Sequence, residues 1–289
     1  MIKSINPKEI PIAELHGLLL GAVSPRPIAF ASTVDVDGNV NLSPFSFFNV
    51  FSANPPIMIF SPARRVRGNT TKHTLDNAMA TKEVVINIVS YAMVQQMSLS
   101  SAEYPKGVNE FEKAGFTEVA SETVTPPSVK ESPVSFECKV NEVIHLGAEG
   151  GAGNLIICEV TKIHLDTNIL DENGKIDPNK IDTVARMGGN WYSRASGNAI
   201  FEIPKPVSSI GVGFDTIPSS IRNSKVLTGN ELGLLGSIEE MPKSIEHNDD
   251  VSEIITSGTN VEERLHQLAK GLLAKNKIKE AWAVLMANK

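Results

Sequence analysis

Apolar and polar positions alternate with a period of two in several short runs, and only the last quarter of the chain keeps a sustained helical period. The pattern predicts a domain built mainly of strands, followed by helices. Residues 28–34 are small and apolar, and a polar break follows at Asp35-Val36-Asp37-Gly38-Asn39, whose Asp-Gly pair suits a hairpin turn needing positive φ. The return run, 41–50, mixes Phe with Ser and Asn, and Asn54-Pro55-Pro56 then turns the chain into an apolar run over 57–60. Residues 24–61 therefore predict three strands. Pro44 lacks a ladder donor, which places the second of them at an edge or a bulge.

Further along, residues 83–90 alternate cleanly, with Val84, Ile86 and Ile88 on one face. In 133–143, Val134, Phe136, Cys138 and Val140 oppose Ser135, Glu137, Lys139 and Asn141; the more uniformly apolar run 155–163 is expected to lie deeper. Helical spacing is weak over 8–20, read as a lead-in helix or turn packed on the strands. It is clearer at 74–80 and at 91–101, where Met93, Val94 and Met97 turn inward. Residues 110–116 form a covering segment. Beyond Pro204-Lys205-Pro206 the character changes: 204–289 reads as a separate extension, loop-like to about residue 250, then a helical hairpin hinged near Asn276. An N-cap and capping box are expected at Thr259-Asn260-Val261-Glu262-Glu263.

Composition narrows the function. The 289 residues carry a formal net charge of -6, and the Arg64-Arg65-Val66-Arg67 run is the main basic feature, so nucleic acid is not an expected partner. The charged first nine residues do not read as a signal peptide and no run reaches the length of a membrane span, so no membrane association and a cytoplasmic location are expected. The two cysteines, Cys138 and Cys158, lie in separate apolar runs and read as buried thiols. Gly147-Ala148-Glu149-Gly150-Gly151-Ala152-Gly153 opens a strand and not a helix, so it is a hairpin loop and not a dinucleotide fingerprint. His145 and His164 have no third ligand at a useful spacing, and no metal site is expected.

Two stretches carry candidate chemistry. A strand mixing Phe with Ser and Asn offers apolar surface for a planar ring together with polar groups for its edges; an ordinary core strand with a bulge has the same composition. The basic, hydroxyl-rich loop 61–74 running into a helix provides what a phosphate needs, and equally what a solvated loop needs. In order, Ser24-Pro25-Arg26-Pro27-Ile28-Ala29, Ser32-Thr33, Asp37-Gly38, Asn41-Leu42-Ser43-Pro44-Phe45-Ser46-Phe47-Phe48-Asn49 and Asn54-Pro55-Pro56 resemble the flavin reductase-like, FMN-binding split-barrel family, including its flavoredoxin-like members. The resemblance spans roughly residues 10–200.

That resemblance implies a mainly β fold with α: an antiparallel, Greek-key-like split β-barrel of about six strands, with covering helices, as domain 1–203. It implies a homodimer holding FMN at the interface and a hydride passed from NADH or NADPH to FMN, then on to free flavin, oxygen, a metal chelate or a partner protein. It also assigns Arg26, Ser46, Lys72 and Thr74 to the phosphate and ribityl chain. Pro27 and Thr33 fall near the cofactor, Phe47, Phe48 and Asn49 line the ring, and Tyr192 after Gly188-Gly189 lies near its open side. The family's Lys-x-Thr triplet appears as Lys72-His73-Thr74, with His73 where Asp is usual. No catalytic side chain is required, because the flavin carries the chemistry. A non-enzymatic FMN electron carrier is the alternative, and a split-barrel protein for haem or another ligand is a third.

Overall fold

Strand β1 (Ala29–Val34) sits at the centre of the first unit because small and apolar side chains let it be buried on both faces along its whole length. Its period-two alternation serves two cores. Ala29 and Ala31 pack with Met58, Phe60, Leu75, Ile86, Cys138 and Ile156, whereas Phe30 faces Leu42, Met93, Met97, Phe111 and Phe116. The computed structural model describes residues 1–203, 210–242 and 249–287. The chain divides into two compact units, Met1–Phe201 and Glu202–Lys289.

In the first unit α1 (Ile12–Ala22) precedes β1, β2 (Val40–Phe45), β3 (Phe48–Ala53) and β4 (Pro56–Phe60). Then come α2 (His73–Thr81), β5 (Glu83–Ile88), α3 (Val94–Leu99), α4 (Glu110–Ala114), β6 (Glu118–Val119) and β7 (Ser128–Val129). The long hairpin β8 (Val134–His145) and β9 (Asn154–Leu165) follows, with α5 (Pro178–Ile181), β10 (Val184–Arg186) and β11 (Tyr192–Arg194) completing the unit. Seven strands form one antiparallel sheet in the order β2-β1-β5-β8-β9-β4-β3. It curls into a split barrel, with α2 packed against β1.

The stretch read as three strands holds four. The run 41–50 breaks at Ser46-Phe47, because β2 pairs with β1 at one edge of the sheet while β3 pairs with β4 at the other. Pro44 lies on the edge strand β2, where a missing donor costs nothing. Helix α1 forms as expected, with none of its side chains fully buried; Ile12 lies near Gly151 of the β8–β9 turn and Gly21 near Gly188. A 3₁₀ turn over Tyr91–Met93 precedes α3, with Met93 and Met97 buried as the spacing requires. Strand β9 is deep only in its first half; from Thr161 to Ile163 it is exposed.

Glu137 keeps its place opposite Cys138 on β8 yet has no exposed surface, because the Glu122-Thr123 segment covers that face of the strand. Burial alone would raise its pKa. Hydrogen bonds from the Thr123 hydroxyl (2.6 Å), the Glu122 N–H (2.8 Å), His164 (2.6 Å) and the Thr123 N–H (2.5 Å) outweigh that and hold it at about 2.

In the second unit α6 (Ser219–Arg222), α7 (Gly229–Gly236), α8 (Asp249–Ser257), α9 (Val261–Leu273) and α10 (Ile278–Met286) enclose a core of their own around the fully buried Trp282, whose indole N–H donates to the Leu235 carbonyl at 3.0 Å. The pattern Ile217-Pro218-Ser219-Ser220-Ile221-Arg222 suggests a helix start, and α6 forms there; α7 lies where the sequence pattern predicts only loop. The capping box expected at Thr259 forms instead at Thr228, whose N–H donates to the Glu231 carboxylate at 2.6 Å; Asn260 precedes α9 in a left-handed conformation with no side-chain cap. Asn276, at φ 56°, makes the turn between α9 and α10. The Pro204-Lys205-Pro206 segment lies outside the described residues. No helix among them is long and apolar enough to cross a membrane.

The depressed pKa of Glu137 makes stability present above the unfolded-state value and lost as pH falls from about 4.5 towards 2. In Glu137→Gln, the loss of unfolding free energy between pH 6 and pH 3 should be smaller than in the wild type by about 2 kcal/mol, read from urea titrations at the two pH values.

Candidate functional site

Polar groups converge where the basic segment 61–72 enters α2. Lys72 precedes the helix in an extended conformation without a side-chain cap, and the backbone N–H groups of His73 and Thr74 have no acceptor among the described residues. Uncapped amides at the positive end of a helix dipole are an anion-binding arrangement.

The other side of α2's first turn is locked down. Thr74 is buried, and its hydroxyl donates to Asn41 Oδ1 at 2.7 Å; Asn41 Nδ2 donates to Glu110 Oε1 at 3.0 Å, and Glu110 Oε2 accepts the Leu42 N–H at 2.9 Å. Asn77 Nδ2 donates to Thr33 Oγ1 at 3.2 Å. These side chains tie β1, β2, α2 and α4 into one network, which fixes where the helix start points. Thr74 and Thr33 therefore serve it from within, through their hydroxyls.

The three arginines of the basic run have different partners. Arg64 folds the loop on itself, donating from Nε to Asn69 Oδ1 (2.7 Å) and from Nη2 to the Asn69 carbonyl (2.6 Å). Its backbone bonds to Gly151 and Ala152 dock the loop on the β8–β9 hairpin, at a separation so small that a Cβ on Gly150 would lie 2.9 Å from the Val66 carbonyl. Arg65 reaches the Thr70 hydroxyl (3.1 Å) and the Thr71 carbonyl, and its Nε meets Glu103 Oε1 at 2.9 Å. Lys72 Nζ approaches the same Glu103 oxygen at 3.6 Å. Arg67 is exposed. The Arg65 hydrogen bond and charge, followed by the charge of Lys72, hold the Glu103 carboxyl below the usual range.

The strand-borne candidates adjoin this segment. The Phe47 carbonyl accepts the Ser61 N–H at 2.8 Å, so the Ser46-Phe47 link lies against the start of the basic segment. Ser46 is half-buried, Phe47 is 40% exposed, Phe48 leans on the barrel core, and exposed Asn49 accepts the Val50 N–H through its side chain at 2.8 Å.

Arg26 is placed otherwise. It is buried and donates to the carbonyls of Leu20 (2.6 Å), Val23 (2.5 Å) and Met187 (3.0 Å), closing the C-terminal end of α1 and holding the β10–β11 hairpin. Burial, then the charge of Arg186, lowers its pKa. Pro27 beside it is exposed. Gly188 serves a protein contact, since a Cβ there would come within 3.0 Å of Gly21 Cα. Tyr192 lies under the Arg186 guanidinium at 4.6 Å and shares no hydrogen bond with the α2 network.

Sequence reasoning missed Glu103, Asn41, Asn77 and Glu110 as contributors. The last three are polar residues in apolar surroundings, a legible signal; Glu103 lies in a loop without pattern. His145 bonds Asn154 at 2.6 Å and His164 bonds Glu137; among the described residues no group of three or more His, Cys, Asp or Glu is placed to hold a metal. The donor set at α2, two cations and helix amides without acceptors among the described residues, fits a phosphate group.

The model of the flavin reductase like domain matches residues 21–180. An uncharacterized protein of Aquifex aeolicus is 39% identical over 196 residues, which cover 68% of this chain and 97% of that protein. The crystal structure of nitrilotriacetate monooxygenase component B from Bacillus cereus superposes with a TM-score of 0.66 at 31% identity, covering 70% of this chain and 99% of that one. Flavoredoxin of Desulfovibrio vulgaris shares the fold, with a TM-score of 0.55 at 20% identity over 72% of this chain and 98% of its own.

Thr74→Val removes the 2.7 Å bond to Asn41 while keeping the shape of the side chain. It should lower the unfolding free energy by about 1–3 kcal/mol in a urea titration, whereas a hydroxyl serving only an exposed ligand would leave stability unchanged.

Proposed function

The chain belongs to the flavin reductase like family, and from that membership we propose that it is an FMN-dependent oxidoreductase which takes a hydride from NADH or NADPH and passes electrons to free flavin, oxygen, a metal chelate or a partner protein. The observation that carries the reading is the meeting of Arg65, Lys72 and the free His73 and Thr74 amides at the start of α2, inside the matched domain. FMN, when bound, supplies the redox chemistry. The protein's task is to hold it, orient it and admit the partners.

In this reading Lys72, Arg65 and the helix amides hold the phosphate, a dianion near neutral pH that pairs well with cations and N–H groups. Thr74 and Thr33 keep the helix start in place through Asn41 and Asn77. Ser46, Phe47, Phe48 and Asn49, on the link between β2 and β3, line the ring and its ribityl chain, with Pro27 at its border. Arg26 acts by fixing α1 and β10–β11 around the site, and Tyr192 borders its open side.

A second copy of the chain completes the cleft. Support for this comes from apolar side chains that a monomer leaves in water: Ile12, Leu18 and Leu19 on α1, and Val50 and Phe51 on the edge strand β3, are between 43% and 63% exposed. The two buried free thiols are at home in a reducing cytoplasm.

Two measurements test the proposal. Purified protein supplied with FMN should show a flavin absorbance spectrum that bleaches anaerobically on addition of NADH or NADPH. A spectrum that stays oxidised with both donors would mark an electron carrier, and failure to take up flavin would remove the site. Separately, Lys72→Ala should weaken FMN by roughly tenfold and riboflavin hardly at all, as followed by flavin fluorescence, because the ammonium meets only the phosphate.

A further inference from the structure

Glu103 has no part in holding a flavin, yet it is the group that meets both cations of the proposed phosphate site. One of its carboxylate oxygens lies 2.9 Å from Arg65 Nε and 3.6 Å from Lys72 Nζ. The cleft bounded by Ser43, Lys72, Thr74 and Glu103 has a volume of about 20 Å³, room for one water and not for a phosphate. Cations and helix amides thus converge on a position where the facing anion is the protein's own.

Glu103 is also easy to move. Its side chain is 64% exposed and lies in the 100–109 connection between α3 and α4, anchored at its ends by the Ser100 hydroxyl on the Met97 carbonyl (2.7 Å) and by Asn109 capping α4 (2.9 Å). Between those anchors the Ser101 hydroxyl donates to the Ser98 carbonyl of α3 (2.6 Å), and the side-chain links to more distant parts of the unit are ion pairs among the described residues: Glu103 with Arg65 and Lys72, and Lys106 with Asp35 at 3.8 Å. Exposed pairs of this kind hold weakly, and a phosphate brings more charge and more acceptor oxygens to the same donors.

We propose that Glu103 is an internal stand-in for the ligand's phosphate: it neutralises Arg65 and Lys72 in the free protein and is displaced when a phosphorylated flavin enters. The proposal rests on the phosphate assignment above. Its consequence is a selective weakening of phosphorylated flavins, because the carboxylate competes with a phosphate and has nothing to compete with in a flavin that lacks one. Glu110, which borders the same cleft, has both oxygens bonded within the protein and stays in place.

The test is fluorescence titration of FMN and of riboflavin into wild-type protein, Glu103→Gln and Lys72→Ala, with thermal unfolding of each. Glu103→Gln keeps the side chain's size and should tighten FMN about three- to tenfold while leaving riboflavin unchanged. If FMN binds Glu103→Gln no better than wild type while Lys72→Ala weakens it, Glu103 is no competitor and the phosphate site stands. Equal tightening of both flavins overturns the proposal too, since it would report loop opening and not charge. An unchanged FMN affinity in Lys72→Ala removes the phosphate assignment itself.

Discussion

The first unit depends on one constraint: β2 and β3 are joined by two residues, Ser46 and Phe47, yet lie at opposite edges of a seven-stranded sheet. Flat, the six gaps between seven strands would separate those edges by about 29 Å. Three peptide steps from Phe45 to Phe48 reach at most about 11 Å. The sheet must therefore curl until its edges approach each other at the Ser46-Phe47 link, and the Ser61 N–H bonded to the Phe47 carbonyl carries the β3–β4 ladder one step into that link. The β2–β3 link thus adjoins the start of the basic segment at Phe47 and Ser61, while the start of α2 is tied to β2 further along, at Asn41.

A buried polar network then fixes the start of α2. An apolar interface between α2 and the strands would allow the helix to slide; directional bonds from Thr74 to Asn41, Asn41 to Glu110 and Asn77 to Thr33 permit one position. Glu110 is tolerated inside because each of its oxygens accepts a bond. The arrangement leaves the outward amides of His73 and Thr74 free, and brings Lys72 and Arg65 to the same place. Arg26 applies the same logic at the other flank, drawing the end of α1 and the residue after β10 together on one guanidinium.

Much of this was legible in the sequence, for identifiable reasons. Strands with clean alternation, the Asp-Gly turn, the inward Met93 and Met97 and the strand-edge Pro44 follow from local rules. So did the flavin-family motif, because its residues fall in fixed order. The break at Ser46-Phe47 was not legible, since nothing in an apolar run announces that its two halves pair at different edges. Arg26 was assigned to phosphate by resemblance, although its three carbonyl acceptors lie near residue 20 and beyond residue 186, partners that only the fold brings together. The burial of Glu137 was not legible either, since the Glu122-Thr123 segment that covers its face of β8 comes from a distant, patternless stretch. In the second unit the helix over 229–236 begins and ends with glycine and carries another at its centre, a composition that reads as loop until the Glu231 cap and the packing of Leu232 and Leu235 are known.

Perturbed ionisation, often a guide to active sites, points elsewhere in this molecule. Glu137, held at about 2, pins the Glu122-Thr123 segment to β8 and fixes His164. Cys138, raised to about 12 by burial and then by the charge of Glu137, faces the barrel core, as does Cys158. These shifts are the by-products of folding a bulged β-hairpin over a dense core, and the thiols they concern are protonated and inert. At the α2 end the carboxylate with a lowered pKa is Glu103, whose neighbours are cations and whose surroundings are water. Charge and free amides gather there, the features the proposed flavin phosphate site calls for.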